Sequence, residues 1–339
     1  MAVRVGINGF GRIGRGFVRS VIEQGADVEI VAVNDLTSPT TNAHLLRYDS
    51  TQGRLGVDVV VEGDLFKVGD RTIKVLSERD PVNLGWAELG VDVVVESTGL
   101  FTKREDAARH LEAGATTVII SAPAVGADAT FVIGVNDDQY DPVVHHVISN
   151  ASCTTNCFVP MVKVLDDAFT VKSGLMTTVH AYTNDQNLLD LAHKDLRCAR
   201  AAAVNIVPSS TGAARATGLV LQSMQGRLDG TSLRVPIPTG SITDFTAVVE
   251  GTPTVEEVNQ AFTMAAASGP LSRVLVYTED PIVSADIVGS PASCTFDAGL
   301  SMVQPIDDSS SLVKILGWYD NEWGYSNRLV DLVGIVGSR

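Results

Sequence analysis

Apolar and polar residues follow two alternating patterns along the first half of the chain. Short, nearly continuous apolar runs predict buried strands, and apolar residues every three or four positions predict helices. The predicted strands are Val3–Ile7, Val28–Asn34, Val91–Glu96, Thr117–Ser121 and Val144–Ile148, and the predicted helices are Ile13–Gln24 and Arg104–Ala113. Because strands and helices alternate, we expect a doubly wound parallel sheet here.

From about Ser152 the pattern changes to a helix followed by longer strands. The helix begins near Cys153–Asn156 and carries apolar residues at helical spacing, and Asn327–Val336 has the periodicity of a last helix. The predicted strands are Ser173–His180, Leu233–Ile237, Thr243–Val249 and Leu312–Tyr319. Because few crossover helices separate these strands, we expect an antiparallel or mixed sheet.

Composition narrows the class of protein. The 339 residues are 45% hydrophobic and 19% charged, which is typical of a globular protein. Forty acidic against 25 basic residues give a net charge of −15, which opposes binding to nucleic acid and to anionic membranes. No apolar run reaches the roughly 20 residues that span a bilayer, and the first residues lack a signal peptide, so we expect a cytoplasmic protein.

The four cysteines predict neither a disulfide framework nor a metal site. Cys153, Cys157, Cys198 and Cys294 are sparse for a chain of this length and include no Cys-x-x-Cys pair. The chain therefore keeps free thiols, of which one could be reactive.

A glycine-rich turn follows the first strand. Gly9, Gly11 and Gly14 form the Gly-x-Gly-x-x-Gly pattern, and Asp35 ends the next strand. Such glycines permit a tight turn, close approach of a pyrophosphate to the backbone, and close packing of helix on strand. A plain strand–helix turn with a capping acid is the alternative, but the complete context favours a dinucleotide site.

The residues around this turn favour NAD over NADP. The backbone N–H groups near Arg12 and Ile13 would face the phosphates at the positive end of the helix. Asp35 would accept hydrogen bonds from the adenosine ribose and would repel a 2′-phosphate, and apolar Leu36 follows it. The neighbouring Thr37-Ser38 could still reach a phosphate, which leaves the preference open.

Cys153 is the candidate nucleophile. It stands where a helix begins, and a helix N-terminus stabilises a thiolate. Cys157 and Cys294 fit the alternative of buried, structural cysteines. His180, at the end of a predicted strand, is the candidate base, although a lone histidine there is more often structural.

Four segments together resemble the phosphorylating, bacterial-type glyceraldehyde-3-phosphate dehydrogenase family. They are residues 7–15, 152–156, 180–186 and 318–326, and the similarity runs from the first strand to the last helix. Ser-Cys-Thr-Thr-Asn at 152–156 is the most specific of these motifs.

The resemblance implies a mechanism. Cys153 attacks the aldehyde of glyceraldehyde 3-phosphate to form a thiohemiacetal, and His180 accepts the thiol proton and helps to stabilise the oxyanion. Hydride passes to NAD, inorganic phosphate attacks the resulting thioester, and 1,3-bisphosphoglycerate is released. Asn321 would hold the nicotinamide carboxamide.

The resemblance also implies binding residues. It assigns Thr183 and Arg234 to the substrate phosphate, and it assigns inorganic phosphate to Ser152, Thr154, Thr211 and Gly212. It adds Arg197 to these anion sites, and Arg79 and Ser121 to the cofactor site.

By the same resemblance, residues 1–152 form an NAD-binding Rossmann domain onto which the C-terminal helix, 321–339, packs back. Residues 153–320 form an α+β catalytic domain with a mostly antiparallel mixed sheet. A homotetramer is implied, with segment 181–205 near a neighbouring subunit's cofactor.

Some positions depart from the family pattern. Many bacterial members have two arginines where this chain has Arg197 and Cys198, so we expect a raised KM for inorganic phosphate. Ala192 replaces a proline that is frequent in NAD-specific members. Two alternative functions are an erythrose-4-phosphate dehydrogenase, against which the intact segment 210–212 argues, and a non-catalytic role in which Cys153 senses oxidation.

Overall fold

The computed structural model describes residues 2–338 and divides them into two compact units. The first unit comprises the residues up to 131, residues 136–152 and the residues from 326 onward. The second unit comprises residues 132–135 and 153–325. No helix within residues 2–338 combines the length and the apolar character needed to cross a membrane.

The first unit is built on a sheet with short helices between its strands. Its strands are β1 (Val3–Asn8), β2 (Val28–Asn34), β3 (Tyr48–Asp49), β4 (Gly53–Arg54), β5 (Val59–Glu62), β6 (Leu65–Val68), β7 (Arg71–Leu76), β8 (Val93–Glu96), β9 (Thr117–Ile120), β10 (Ala129–Thr130) and β11 (Val147–Ser149). Its helices are α1 (Arg12–Gln24), α2 (Pro39–Arg47), α3 (Trp86–Leu89), α4 (Arg104–Ala107) and α5 (Arg109–Glu112).

The order of the main sheet is β10-β11-β9-β8-β1-β2-β7-β6-β5. Every pair from β10 to β7 is parallel, and β5 and β6 extend the sheet as antiparallel strands. The chain runs outward from β1 through β2 to β7 and then returns to the other side of β1 with β8. A crevice at the carboxyl ends of β1 and β8 results, which is where such sheets bind ligands. The predicted doubly wound parallel sheet is confirmed.

The predicted helix Arg104–Ala113 is interrupted at Ala108, which separates α4 from α5. The N–H of Leu111 donates to the carbonyl of Ala108, and the N–H of Gly114 donates to that of Leu111. These are the tighter bonds of a 3₁₀ turn, so the chain stays coiled here without a continuous α-helix.

The second unit contains a mixed sheet and three complete helices. Its strands are β12 (Val171–Ala181), β13 (Val207–Ser210), β14 (Leu228–Val235), β15 (Ser241–Glu250), β16 (Leu275–Thr278), β17 (Cys294–Asp297), β18 (Met302–Asp307) and β19 (Ser310–Tyr319). The helices are α6 (Cys153–Phe169), α7 (Ala213–Val220) and α8 (Val255–Ala267), and α9 (Trp323–Gly337) begins here and continues into the first unit.

Strand order in this sheet is β13-β14-β12-β15-β19-β17-β16, with β18 beside β19. The pairs β12–β14 and β16–β17 are parallel, and the remaining pairs are antiparallel. The predicted α+β character and mostly antiparallel mixed sheet are therefore confirmed. β14 begins five residues before the predicted Leu233 and ends at Val235, because Pro236 has no N–H to continue the ladder.

The register of β12 against β14 sets His180 directly beside Arg234. On β12, Met176, Thr178 and His180 are buried, whereas Leu175 on the opposite face is 69% exposed. The same alternation continues along β15 and β19. One face of the sheet therefore belongs to the core, and it is the face that carries His180.

Candidate active site

Cys153 is the first residue of α6, as the sequence predicts. The turn that precedes it places Ala151 at a φ of 56°, in the left-handed region that a residue with a Cβ rarely adopts. Strain of this kind persists where surrounding structure holds it, and it is frequent at functional sites. Because Cys153 begins α6, its half-buried thiol lies at the positive end of that helix.

The structure brings Cys153 and His180 together across 27 residues of sequence. The Sγ atom lies 3.4 Å from Nε2 of His180, which is within hydrogen-bond reach for sulfur. His180 is only 4% exposed and is held by β12. A thiol and a buried imidazole in this geometry can transfer a proton.

Two groups compete for the other ring nitrogen of His180. Nδ1 lies 2.7 Å from the carbonyl oxygen of Ala181 and 2.5 Å from Nη1 of Arg234. When Nδ1 donates to the carbonyl, Nε2 keeps a lone pair and accepts the thiol proton. When Arg234 donates to Nδ1, Nε2 carries a proton and can stabilise an oxyanion. The arrangement supports both tasks.

Burial sets the resting charge of this pair. Burial raises the pKa of the Cys153 thiol, and Arg234 opposes the shift without reversing it. Burial, and secondly the charge of Arg234, lowers the pKa of His180 to about 3. At neutral pH the site therefore holds a thiol and a neutral imidazole. For the thiol, loss of solvent outweighs the opposing charge of Arg234 and the hydrogen bonds from Thr154.

Tyr319, at the end of β19, organises the surroundings of this pair. Its hydroxyl lies 2.8 Å from the hydroxyls of both Thr154 and Thr178, and its ring meets that of His180 edge to face at 6.0 Å. Burial raises the pKa of Tyr319, so it remains a neutral phenol. Sequence reasoning gave it no role, although its place in an alternating strand indicated an inward position.

Asn321 is oriented by buried hydroxyls of the second unit. Its Oδ1 accepts from Oγ of Ser241 at 2.9 Å and lies 3.4 Å from Oγ1 of Thr239. Ser241 Oγ also accepts the N–H of Ala181, the residue after His180. Ser241, which sequence reasoning did not single out, therefore links the backbone at His180 to Asn321.

The other predicted anion-binding residues lie on turns of the second unit or just before it. Thr183 follows β12 and its N–H donates to Gln186, and Thr211 accepts from the N–H of Ala213 at the start of α7. Gly212 is the residue that caps α7, and Ser152 immediately precedes α6. Among the predicted anion-binding residues, Arg234 contacts the pair formed by Cys153 and His180 directly, through Nδ1 of His180.

Arg197 and Cys198 lie in the segment after β12. Arg197 is exposed; its backbone N–H donates to the side chain of Asp195, and its carbonyl accepts the N–H of Arg200. Cys198 is buried, with Sγ 3.8 Å from Oδ2 of Asp195. Burial, and then Asp195 and Asp185, raises the pKa of this thiol, while Arg234 lowers it. Cys198 thus places a neutral thiol within electrostatic range of Arg234, at the position where many bacterial members of the family have a second arginine.

The glycine turn of the first unit leaves room for a ligand at one glycine only. Gly9 has a φ of +92°, and a Cβ there would lie 2.6 Å from the backbone N of Thr98. A Cβ on Gly14 would lie 2.2 Å from the carbonyl oxygen of Gly9. A Cβ on Gly11 meets nothing within 4 Å. Gly9 and Gly14 permit tight packing, whereas Gly11 exposes its backbone to open space.

A groove of about 330 Å³ opens at this turn. Of the predicted cofactor residues, Gly9, Gly11, Asp35 and Arg79 line it; sequence reasoning missed other lining residues, among them Asn8, Asn34, Thr98 and Phe101. Arg12, Ile13, Gly14 and Ser121 do not line it. Several of the missed residues follow or end predicted strands, which was the signal available for them.

Two predicted cofactor residues make other contacts. The Arg12 side chain pairs with Asp49 at 2.5 Å and donates to Thr51 at 2.7 Å. The N–H of Ser121 donates to the carbonyl of Glu96.

The groove suits a dinucleotide. Asp35 accepts the N–H groups of Phe10 and Thr37 at 2.9 and 2.8 Å. Burial acts to raise the pKa of Asp35, but the bonds from Thr37 and Phe10 hold it below its ordinary value. A carboxylate is therefore present where ribose hydroxyls would donate, beside a backbone open at Gly11. Within residues 2–338, no cluster of His, Cys, Asp and Glu could hold a metal ion.

A parallel sheet with this glycine turn places the chain in the Rossmann class of nucleotide-binding proteins. Residues 3–104 match the family model described as glyceraldehyde 3-phosphate dehydrogenase, NAD binding domain, and residues 152–321 match that of its C-terminal domain. The chain belongs to the glyceraldehyde-3-phosphate dehydrogenase family. This confirms the resemblance drawn from the sequence and confirms NAD as the cofactor.

Similar proteins cover the whole chain. A glyceraldehyde-3-phosphate dehydrogenase of Streptomyces coelicolor is 61% identical over 339 residues, which is 100% of both chains. Those of Mycobacterium avium and Geobacillus stearothermophilus are 60% and 58% identical and cover 99% and 100% of this chain and 99% of their own.

An added methyl group is expected to act on NAD binding at Gly11 and on folding stability at Gly14. Gly11→Ala is expected to leave the free energy of unfolding within about 0.5 kcal/mol and to weaken NAD binding by about tenfold or more, because the methyl group occupies open space beside the backbone. Gly14→Ala is expected to cost about 1–3 kcal/mol of stability through overpacking. Urea unfolding and NAD titration measure both. Equal NAD affinity in Gly11→Ala and the wild type would show that the groove is misassigned.

His180→Asn is expected to slow iodoacetamide alkylation of Cys153 about a hundredfold at pH 7, because the resting thiol is protonated and loses its base. As the pH rises toward the raised pKa of the thiol, hydroxide removes the proton and the difference should shrink. His44→Asn, at an exposed position, is the control. Equal rates for His180→Asn and wild type at pH 7 would exclude His180 as the base.

Proposed function

We propose that this chain catalyses the NAD-dependent oxidative phosphorylation of D-glyceraldehyde 3-phosphate to 1,3-bisphosphoglycerate, in glycolysis and gluconeogenesis in the cytoplasm. The observation that carries the proposal is the partly buried contact of 3.4 Å between Cys153 Sγ and His180 Nε2 in a chain of this family. The first unit would be the NAD-binding domain and the second the catalytic domain.

Oxidation begins at the thiol. As Sγ of Cys153 bonds to the aldehyde carbon, its proton passes to Nε2 of His180, which avoids a free thiolate in a buried site. The new oxyanion receives hydrogen bonds from protonated Nε2 and from the backbone N–H of Cys153. It then takes the proton from Nε2, which gives the neutral thiohemiacetal. His180 then removes the hydroxyl proton as a hydride leaves the same carbon, and a thioester remains. NAD, when bound, supplies the hydride acceptor.

The protein carries a net charge of −15, so binding of the two phosphate groups depends on hydrogen-bond donors and a cation within the site. Arg234, which reaches the imidazole of His180, would hold the substrate phosphate together with Thr183. Ser152, Thr154 and the turn at Thr211 would supply neutral donors to inorganic phosphate. Attack of that phosphate on the thioester carbon breaks the bond to sulfur and releases an acyl phosphate and the Cys153 thiolate, which regains its proton from His180.

We also propose that the working form is a homotetramer. Segment 181–206 exposes several large apolar side chains to solvent in a single chain: Leu188, Leu189, Leu191, Leu196, Val204 and Ile206. Clusters of this kind mark surfaces that another chain covers.

The first experiment follows NADH formation from NAD and glyceraldehyde 3-phosphate with and without inorganic phosphate. Sustained turnover that requires phosphate supports the proposal, and Cys153→Ser should abolish turnover while NAD still binds. The KM for phosphate should fall about fivefold in Cys198→Arg, because a cation is added beside Arg234. Cys198→Ser, which adds no charge, is the matched control. Turnover indifferent to phosphate, or turnover by Cys153→Ser, would refute the mechanism.

The tetramer is tested by sedimentation. Four chains of 35.8 kDa each are expected in one particle. Leu189→Glu should dissociate it at micromolar concentration, because the charge would be buried in the interface. Val143→Glu, at a residue 77% exposed on the first unit, should not. A monomeric wild-type chain at micromolar concentration would contradict this assignment.

A further inference from the structure

Glu96, the last residue of β8, carries a carboxylate that the proposed mechanism does not use. Its side chain is 1% exposed. Oε1 accepts from the N–H of Thr98 at 2.8 Å and from the Thr98 hydroxyl at 2.5 Å. Oε2 accepts from Nδ2 of Asn8 at 2.6 Å and from Nε2 of His110 at 2.9 Å. The partners that surround this acid are therefore all hydrogen-bond donors.

The tautomer of His110 follows from its contact with Trp86. The indole Nε1 of Trp86, which can only donate, lies 3.0 Å from Nδ1 of His110. Nδ1 must therefore hold a lone pair, and the single ring proton sits on Nε2 and points at Glu96. Oγ1 of Thr98 accepts the N–H of Leu100 at 3.0 Å and donates its own proton to Oε1 of Glu96. The side chain of Glu96 thus accepts from four neutral donor groups and is fully hydrogen-bonded although it is buried.

The chain of bonds continues from Asn8 to the next strand. Oδ1 of Asn8 accepts from Nδ2 of Asn34, the last residue of β2, at 2.7 Å. The amide of Asn34 then bonds to the backbone of Glu78 in both directions, at 2.8 Å each. Two series of donors therefore converge on Glu96, one from Trp86 through His110 and the other from Asn34 through Asn8.

Two members of this network, Thr98 and Glu78, line the walls of the groove at the glycine turn. Glu78 is next to Arg79 in the chain, and Arg79 also lines the groove. Asn8 and Asn34 form part of the groove as well. Glu96 and His110 do not line the groove, and they reach a ligand only through these residues.

We propose that Glu96, oriented by His110, is the positioning residue that fixes both walls of the NAD groove. The proposal rests on the assignment of this groove to NAD. The two oxygens of Glu96 each accept two hydrogen bonds at the meeting point of β1 and β8, so one side chain holds donors from both strand ends at once. Pre-ordered walls lower the entropic cost of binding, so the network acts on affinity and not on the chemistry at Cys153.

The test is Glu96→Gln, which keeps the shape but turns one acceptor oxygen into a donor. At least one of Asn8, His110 and Thr98 then faces another donor. The dissociation constant for NAD is expected to rise about tenfold or more, as is that for ADP-ribose. The turnover number at saturating NAD should stay within about twofold, and alkylation of Cys153 in the absence of NAD should be unchanged. Hydrogen exchange at the amides of Glu78 and Thr98 should quicken.

A destabilised control separates positioning from general loss of stability. Val118→Ala removes buried methyl groups from β9 of the same sheet, at a residue outside the groove. This variant should lose stability but bind NAD as the wild type does. Equal NAD affinity in Glu96→Gln and wild type, or equal weakening in Val118→Ala, would overturn the positioning role. A wild-type chain that does not bind NAD would overturn the groove assignment as well.

Discussion

The chemistry of this protein depends on a thiol and an imidazole that are held together out of water. Burial disfavours the charged form of each group, so neither Cys153 nor His180 is ionised at rest. Contact between them then becomes the condition for activation at neutral pH, where His180 is the neighbouring group that can accept the proton of the sulfur. Parallel pairing of β12 with β14 adds Arg234 at the far side of the ring, where its charge keeps the imidazole neutral.

Close approach of backbone is the equivalent constraint in the first unit. Gly14 packs its α-carbon against the carbonyl of Gly9, and Gly9 in turn packs against the loop that follows β8. This leaves no room for a side chain at either position. The same loop is held from below by Glu96. The loop after β8 therefore depends on two features. Gly9, which has no side chain, lets the backbone of the loop approach closely, and the carboxyl group of Glu96 accepts hydrogen bonds from Thr98.

Local patterns in the sequence predicted most of this architecture. Continuous apolar runs identified β1, β2, β8 and β9, and the glycine spacing identified the turn after β1. The hairpin of β5 and β6 and the helix α8 were missed. For α8 a signal was present, because Thr254 and Glu257 form a capping box at its start.

Long-range contacts were not predictable in the same way. Nothing local relates Thr154 to Tyr319, which are 165 residues apart, or Asn8 to Glu96, which are 88 apart. Sheet order and register create these contacts, and a single sequence records neither. Family resemblance supplied Arg234 as a ligand for phosphate, but its competition for Nδ1 of His180 is visible only in three dimensions.

The exposed leucines of segment 181–206 have a consequence for how the protein behaves on dilution. If neighbouring chains cover these side chains, part of the free energy that maintains the segment comes from association and obeys mass action. Folding and assembly then share one equilibrium. A newly made chain would hold this segment loosely until it meets a partner, and the same apolar surface would make an isolated subunit prone to aggregation. The Tm would accordingly rise with protein concentration.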